Sequence, residues 1–204
     1  MGWGDAGAIR AAVDSRHRLT PEAIESALAR AQGRRVIGII AAAGSTATGA
    51  FDPLDELADL AATHGLWLHV DAALAGTAMV LPECRWMWDG VEQADSLVFN
   101  PHKWMGVGFD LTAYYVRDPQ HLVRVMSTNP SFLQTAQDGQ VKNFRDWHIQ
   151  LGRRFRALKL WCFLLDVGVE ALRARLRRDL ENARWLETEV RATPGWEVLA
   201  PVPL

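Results

Sequence analysis

Three lysines stand in the 204-residue sequence, at positions 103, 142 and 159, so chemistry that needs a side-chain amine has three candidate places. Lys103 closes the turn Asn100-Pro101-His102-Lys103, directly after the apolar run 96–99. An amine held in such a turn can condense with an aldehyde if desolvation keeps a share of it neutral. A solvated surface lysine is the plainer reading of the same position. Lys142 lies in a polar stretch where water claims it. Lys159 lies among Phe155, Leu158 and Trp161, where its stem would cover an apolar face. Elimination favours Lys103. Asp71 ends the apolar run 66–70. A carboxylate there needs a partner or a cation, because burying it alone is costly. Paired with a pyridinium nitrogen it would keep that nitrogen protonated; taken alone, it reads as a cap on the next turn. Thr46, Asn100 and His102 add a hydroxyl, an amide and an imidazole. Such groups suit a phosphate, a phenolate oxygen or the face of a ring. His17, His64, His121 and His148 have no comparable setting.

Positioning these groups requires strands that end side by side. Thr20-Pro21-Glu22 reads as a helix start, with a capping hydroxyl and proline at the first helical position. Ala23, Ile24, Ala27, Leu28 and Ala31 follow at helical spacing, and Gly33 ends the helix. The run 36–43 is continuously apolar, as in strands buried on both faces of a parallel sheet. Asp52-Pro53 predicts a second capped helix carrying Leu54, Leu57, Ala58 and Ala61 on one face, up to Gly65. Further strands are predicted over 66–70, 96–99 and 111–116. Alternation of this kind means an α/β fold with a mostly parallel core. Ligands of such sheets bind at the carboxyl ends of the strands. Thr46, Asp71 and the Asn100–Lys103 turn fall at three such ends. Residues 126–143 form a long polar loop, of the kind that often serves as a lid. Helices are predicted over 151–165 and 169–192, and residues 196–199 begin a strand with no visible partner.

Composition sets outer bounds. Lys plus Arg total 22, Asp plus Glu total 24, and 49% of residues are hydrophobic. That profile suits a globular protein rather than a disordered one, and it offers no generally basic surface for nucleic acid. Cys84 and Cys162 form neither a CxxC nor a Cys/His cluster, so no metal site and no disulfide framework is expected. The N-terminus lacks signal-peptide character, and no apolar stretch reaches the ~20 residues of a membrane span.

The segment His69-Val70-Asp71-Ala72-Ala73-Leu74-Ala75-Gly76, followed by Pro82-Glu83-Cys84-Arg85, resembles the group II pyridoxal-phosphate decarboxylases. So do Phe99-Asn100-Pro101-His102-Lys103-Trp104 and the stretch from Leu151 to Lys159. The aromatic-L-amino-acid decarboxylase branch is the nearest match, from about Ala12 to the end of the chain. The resemblance implies a partial pyridoxal-phosphate-dependent transferase fold of the aminotransferase-like type I. Residues 1–165 would form an incomplete cofactor-binding large domain and 166–204 the start of a C-terminal small domain. It implies pyridoxal 5'-phosphate as cofactor, an amino acid as substrate, a homodimer and a cytoplasmic location. Lys103 would carry the Schiff base and Asp71 would pair with the ring nitrogen. Ala73 would pack on the ring, and Thr46 would line the pocket. Asn100 and His102 would lie near the phosphate and the Schiff base. Carbon dioxide would leave while the ring holds the electron pair, and Cα would be reprotonated.

Departures from the pattern shape the expectation further. The family's mobile loop usually carries tyrosine at the place of Phe132, within Asn129-Pro130-Ser131-Phe132-Leu133. That hydroxyl helps to reprotonate Cα, so Phe132 points to an alternative product: an aldehyde, from decarboxylation coupled to oxidative deamination. Leu74 stands where an aromatic often occurs and Gln150 where proline is usual; both read as pocket or packing variation. Family members are more than twice as long. The chain is therefore expected to be a fragment, with Met1 falling mid-domain. A non-catalytic remnant with exposed apolar surface and poor solubility is the third expectation.

Overall fold

The computed structural model describes residues 4–128, 131–138 and 140–204. Helix α1 (Pro21–Ala29) begins where the Thr20 hydroxyl accepts a hydrogen bond from Ala23 N–H at 3.3 Å. Strand β1 (Gly38–Ala42) leads to α2 (Leu54–His64), then to β2 (Trp67–Asp71) and β3 (Ser96–Phe99). Between β2 and β3 the chain folds into short 3-10 helices at Ala75–Val80, Pro82–Trp88 and Val91–Gln93. Strand β4 (Ala113–Val116) precedes α3 (Pro119–Met126), α4 (Arg156–Val167) and α5 (Val169–Ala192).

The sheet has the order β1-β2-β3-β4; the first three strands are parallel and β4 is antiparallel to β3. The register aligns Ile40, His69, Ser96 and Val116 in one row and Ala42, Asp71, Val98 and Tyr114 in the next. One face is buried: Ile39, Ala41, Leu68, Val70 and Leu97 pack in a core with Leu54, Leu57, Ala58 and Ala61 of α2. The sequence predicted a strand at 36–43 buried on both faces. The strand is shorter, and Ile40 on its other face is 70% exposed. The helices of this chain cover one side, so an apolar run alone overstates the burial. Leu172, Leu176 and Leu180 of α5, spaced four apart, enter the same core.

Other expectations also shift. Asp52 does not cap α2. Its buried carboxylate accepts from Leu19 N–H and Ala42 N–H, both at 2.7 Å, tying the approach to α1 to the end of β1. Burial pushes its pKa up against those two hydrogen bonds. Helix α3 was not predicted; Asp118 caps it by accepting from Gln120 N–H at 2.9 Å. The polar stretch after Met126 contains short 3-10 turns at Ser131–Leu133 and Phe144–Trp147. Helix α4 starts at Arg156, later than 151, whereas α5 spans the predicted range. Residues 196–199 form no strand, because no neighbouring strand offers them hydrogen bonds. Among the described residues, no helix is long and apolar enough to cross a membrane, and no cluster of side chains could hold a metal ion.

Candidate functional site

Parallel strands in register finish at the same edge, and backbone hydrogen bonds join their ends. Ala43 N–H donates to Asp71 O at 2.9 Å, Ala72 N–H to Val98 O at 2.9 Å, and Asn100 N–H to Ala73 O at 3.0 Å. The last of these ties the Asp71-Ala72-Ala73 turn directly to the Asn100–Lys103 turn. Close approach of the loops needs glycine. A Cβ at Gly76 would lie 2.3 Å from Phe99 Cβ, and one at Gly44 would lie 2.6 Å from Ala75 Cβ. The Lys103 backbone is held on both sides: its N–H donates to Asn100 O at 2.9 Å and its carbonyl accepts from Gly106 N–H at 3.0 Å. Its side chain is exposed.

Asp71 is exposed at the end of β2, and its Oδ1 accepts from Ala73 N–H at 3.0 Å. The turn-capping role read from sequence is therefore present. Among the described residues no salt bridge engages this carboxylate, which leaves it available to a cationic ligand group. Asn100 Oδ1 is buried and, among the described residues, has no hydrogen-bond donor. His102 Nδ1 stands 2.5 Å from Leu111 O and 3.0 Å from Leu111 N, and its ring meets Phe109 edge-on at 4.9 Å. A carbonyl oxygen can only accept, so the contact with Leu111 O places hydrogen on Nδ1 and leaves Nε2 clear of this backbone contact.

The sequence signal singled out no role for His69, which is half-buried on the same sheet face as Asp71. Trp67 Nε1–H donates to Ser96 Oγ at 2.8 Å, and His69 Nδ1 lies 2.8 Å from the same oxygen. An indole nitrogen can only donate. The Ser96 hydroxyl keeps its own hydrogen to donate to His69 Nδ1, an arrangement that suits a neutral ring with hydrogen on Nε2. Burial holds the His69 pKa below the ordinary 6.5, while the nearby Asp71 charge works in the opposite direction. Only the strand register reveals this trio, since Ser96 is 27 residues from His69 in sequence.

Thr46 is exposed on the loop after β1; the loop itself is braced by Ser45 Oγ, 2.7 Å from Thr48 Oγ1. Ala73 is half-buried beside Asp71. Phe132 is 80% exposed, and among the described residues no hydrogen bond or ring contact joins it to Lys103, Asp71 or His102. Asn129 and Pro130, the start of its motif, lie outside the described residues. Lys159 does more than cover an apolar face: its Nζ donates to Gly108 O at 2.7 Å. His64 pairs with Glu25 at 2.8 Å and His121 with Asp118 at 3.0 Å, both away from the strand ends.

The family model described as the pyridoxal-dependent decarboxylase conserved domain matches residues 5–203. The chain belongs to this family. It is 43% identical over 190 residues to the histidine decarboxylase of Mus musculus, covering 92% of this chain and 29% of that protein. It is 44% identical over 173 residues to the aromatic-L-amino-acid decarboxylase of Drosophila lebanonensis, covering 84% of this chain and 43% of that one. The crystal structure of Oryza sativa TDC with PLP and tryptamine superposes with a TM-score of 0.88 at 38% identity, over 93% of this chain and 40% of that chain. The Rhodiola rosea 4-hydroxyphenylacetaldehyde synthase superposes at 0.80 and 32% identity, over 93% of this chain and 38% of that chain. The chain thus spans well under half the length of these relatives. The family's cofactor is pyridoxal phosphate. Its amine, carboxylate and close-approach requirements fit the Lys103 side chain, the exposed Asp71 carboxylate, the buried Asn100 acceptor and the glycine-lined loops.

Proposed function

We propose that this chain provides the lysine-bearing part of a pyridoxal-phosphate-dependent decarboxylase acting on aromatic L-amino acids. The observation that carries the reading is the 3.0 Å bond from Asn100 N–H to Ala73 O, which locks the Lys103 turn against the Asp71 turn. Lys103 would hold the cofactor aldehyde as a Schiff base through Nζ, and Asp71 would keep a proton on the ring nitrogen. Thr46, Ala73 and Asn100 would line the pocket. His102 lies next to Lys103 in sequence and would handle protons there through Nε2. When bound, the cofactor supplies an electron-withdrawing ring that accommodates the electron pair released as carbon dioxide leaves. Aromatic specificity draws support from the relatives' names. A homodimer in the cytoplasm, with a large domain over 1–165 and a small domain starting at 166, completes the proposal.

Phe132 and the likeness to the Rhodiola rosea synthase favour a second reading, an aldehyde synthase. The two diverge in their products. Incubating the cofactor-loaded protein with aromatic L-amino acids should release amine without peroxide if decarboxylation is the whole reaction. Aldehyde, ammonia and peroxide formed with uptake of dioxygen, the two-electron oxidant, would instead support the synthase, and Phe132→Tyr should then restore amine as the main product. Neither set of products above a Lys103→Ala control would mark a non-catalytic chain.

A further inference from the structure

We propose that Arg175 and Asp179 of α5 are positioning residues that set where the Lys103 amine stands. The inference rests on the reading of Lys103 as the cofactor lysine. The two residues immediately after Lys103 are gripped by this helix. Trp104 Nε1–H donates to Asp179 Oδ2 at 3.0 Å. Arg175 Nη2 donates to Trp104 O at 2.6 Å and to Met105 O at 2.8 Å. The guanidinium also packs on the next residue: a Cβ at Gly106, whose φ is +82°, would lie 2.5 Å from Arg175 Nη1. Residues 175 and 179 stand one helical turn apart, so one face of α5 makes all of these contacts.

The grip is rigid at its root. Leu172, Leu176 and Leu180 of α5 are at most 4% exposed, which fixes the helix in the core independently of its polar arms. The same helix reaches the segment beyond Asp71: Arg173 Nε donates to Val80 O at 2.7 Å, and Arg177 Nε meets Glu83 Oε1 at 2.6 Å. One element therefore braces the loops that follow both Asp71 and Lys103. One terminal nitrogen, Nη2, bonds two successive carbonyls and so fixes two peptide planes. Fixing the turn limits the volume that the amine samples, and orientation of a reacting group contributes to rate in its own right.

Two readouts on the 204-residue protein test this, with Lys142 as internal reference. The first is trace acetylation without cofactor, followed by peptide mapping. The second is borohydride trapping of added pyridoxal phosphate, mapped in the same way. In Asp179→Ala and Trp104→Phe, acetylation of Lys103 should shift towards the Lys142 rate. Trapping at Lys103 should slow roughly tenfold, the size set by one charge-assisted hydrogen bond. The double variant should be no worse than either single one. Asp179→Asn keeps an acceptor oxygen for the indole and should restore wild-type behaviour. Arg175→Lys should fall between. Folded Asp179→Ala with wild-type values in both readouts overturns the proposal, and so does failure of Asp179→Asn to restore them. If acetylation responds while wild-type Lys103 traps no cofactor, the positioning role stands and the cofactor reading falls.

Discussion

His69 is the titratable neighbour of Asp71, and its charge bears on what the Asp71 carboxylate can do. A neutral imidazole leaves that carboxylate open to a ring nitrogen; an imidazolium would compete for it. Burial depresses the His69 pKa in the folded chain, so the unfolded chain binds more protons as pH falls through its ordinary value of 6.5. The stability contributed by neutral His69 is therefore complete above about pH 6.5 and lost on acidification towards the depressed folded value. Asp71 on the same strand and Tyr114 across the sheet, its ring 6.2 Å away, are the ionisable groups beside it; β1 presents Ile40. Denaturant midpoints measured between pH 7 and 5 should fall for the wild type and fall less for His69→Gln. Equal slopes would contradict the assignment. Lys103, Asp71 and Asn100 were legible as candidates because their motifs are local in sequence. The Trp67–Ser96–His69 chain was not, because it exists only once β2 and β3 pair.

At the scale of elements, α5 decides how the loops around the site are held. The sequence predicted its range, 169–192; in the fold Leu172, Leu176 and Leu180 form its one buried stripe. Its polar reach to Trp104 and Val80 was invisible, since those partners lie 71 and 93 residues from Arg175 and Arg173. Leu176 is fully buried, so Leu176→Ala should cost about 2–5 kcal/mol of stability through lost transfer energy and a residual cavity. Thermal or chemical denaturation measures this directly. A change under about 1 kcal/mol, close to the effect of a surface substitution, would mean that the helix does not depend on the core for its placement. The strand expected at 196–199 teaches the complementary lesson. Apolar residues make a strand only where another backbone is present to complete the ladder.

On the scale of the molecule, the sheet is covered on one side, and large apolar groups remain exposed. Ile40 is 70% exposed on the sheet face, and Phe155, Trp161 and Leu165 are 74%, 62% and 67% exposed around α4. Exposed apolar groups of this size favour association. Light scattering should show the protein self-associating, and Ile40→Lys combined with Trp161→Glu should lower the associated fraction several-fold, on the order of that expected from breaking an apolar patch with charge. An unchanged fraction would show that these faces are not responsible. The α/β class was legible from the alternation of elements; the open face was not, because a continuous apolar run looks the same whether one side or both are covered.

In the proposed function the cofactor joins one of three amines. Mixing the protein with pyridoxal phosphate, reducing with borohydride and mapping the peptides shows which one. The expected product carries a pyridoxyl group on Lys103, with Lys142 and Lys159 unlabelled and the label lost in Lys103→Ala. Label on Lys142 or Lys159 instead, or no label on any of the three, would contradict it.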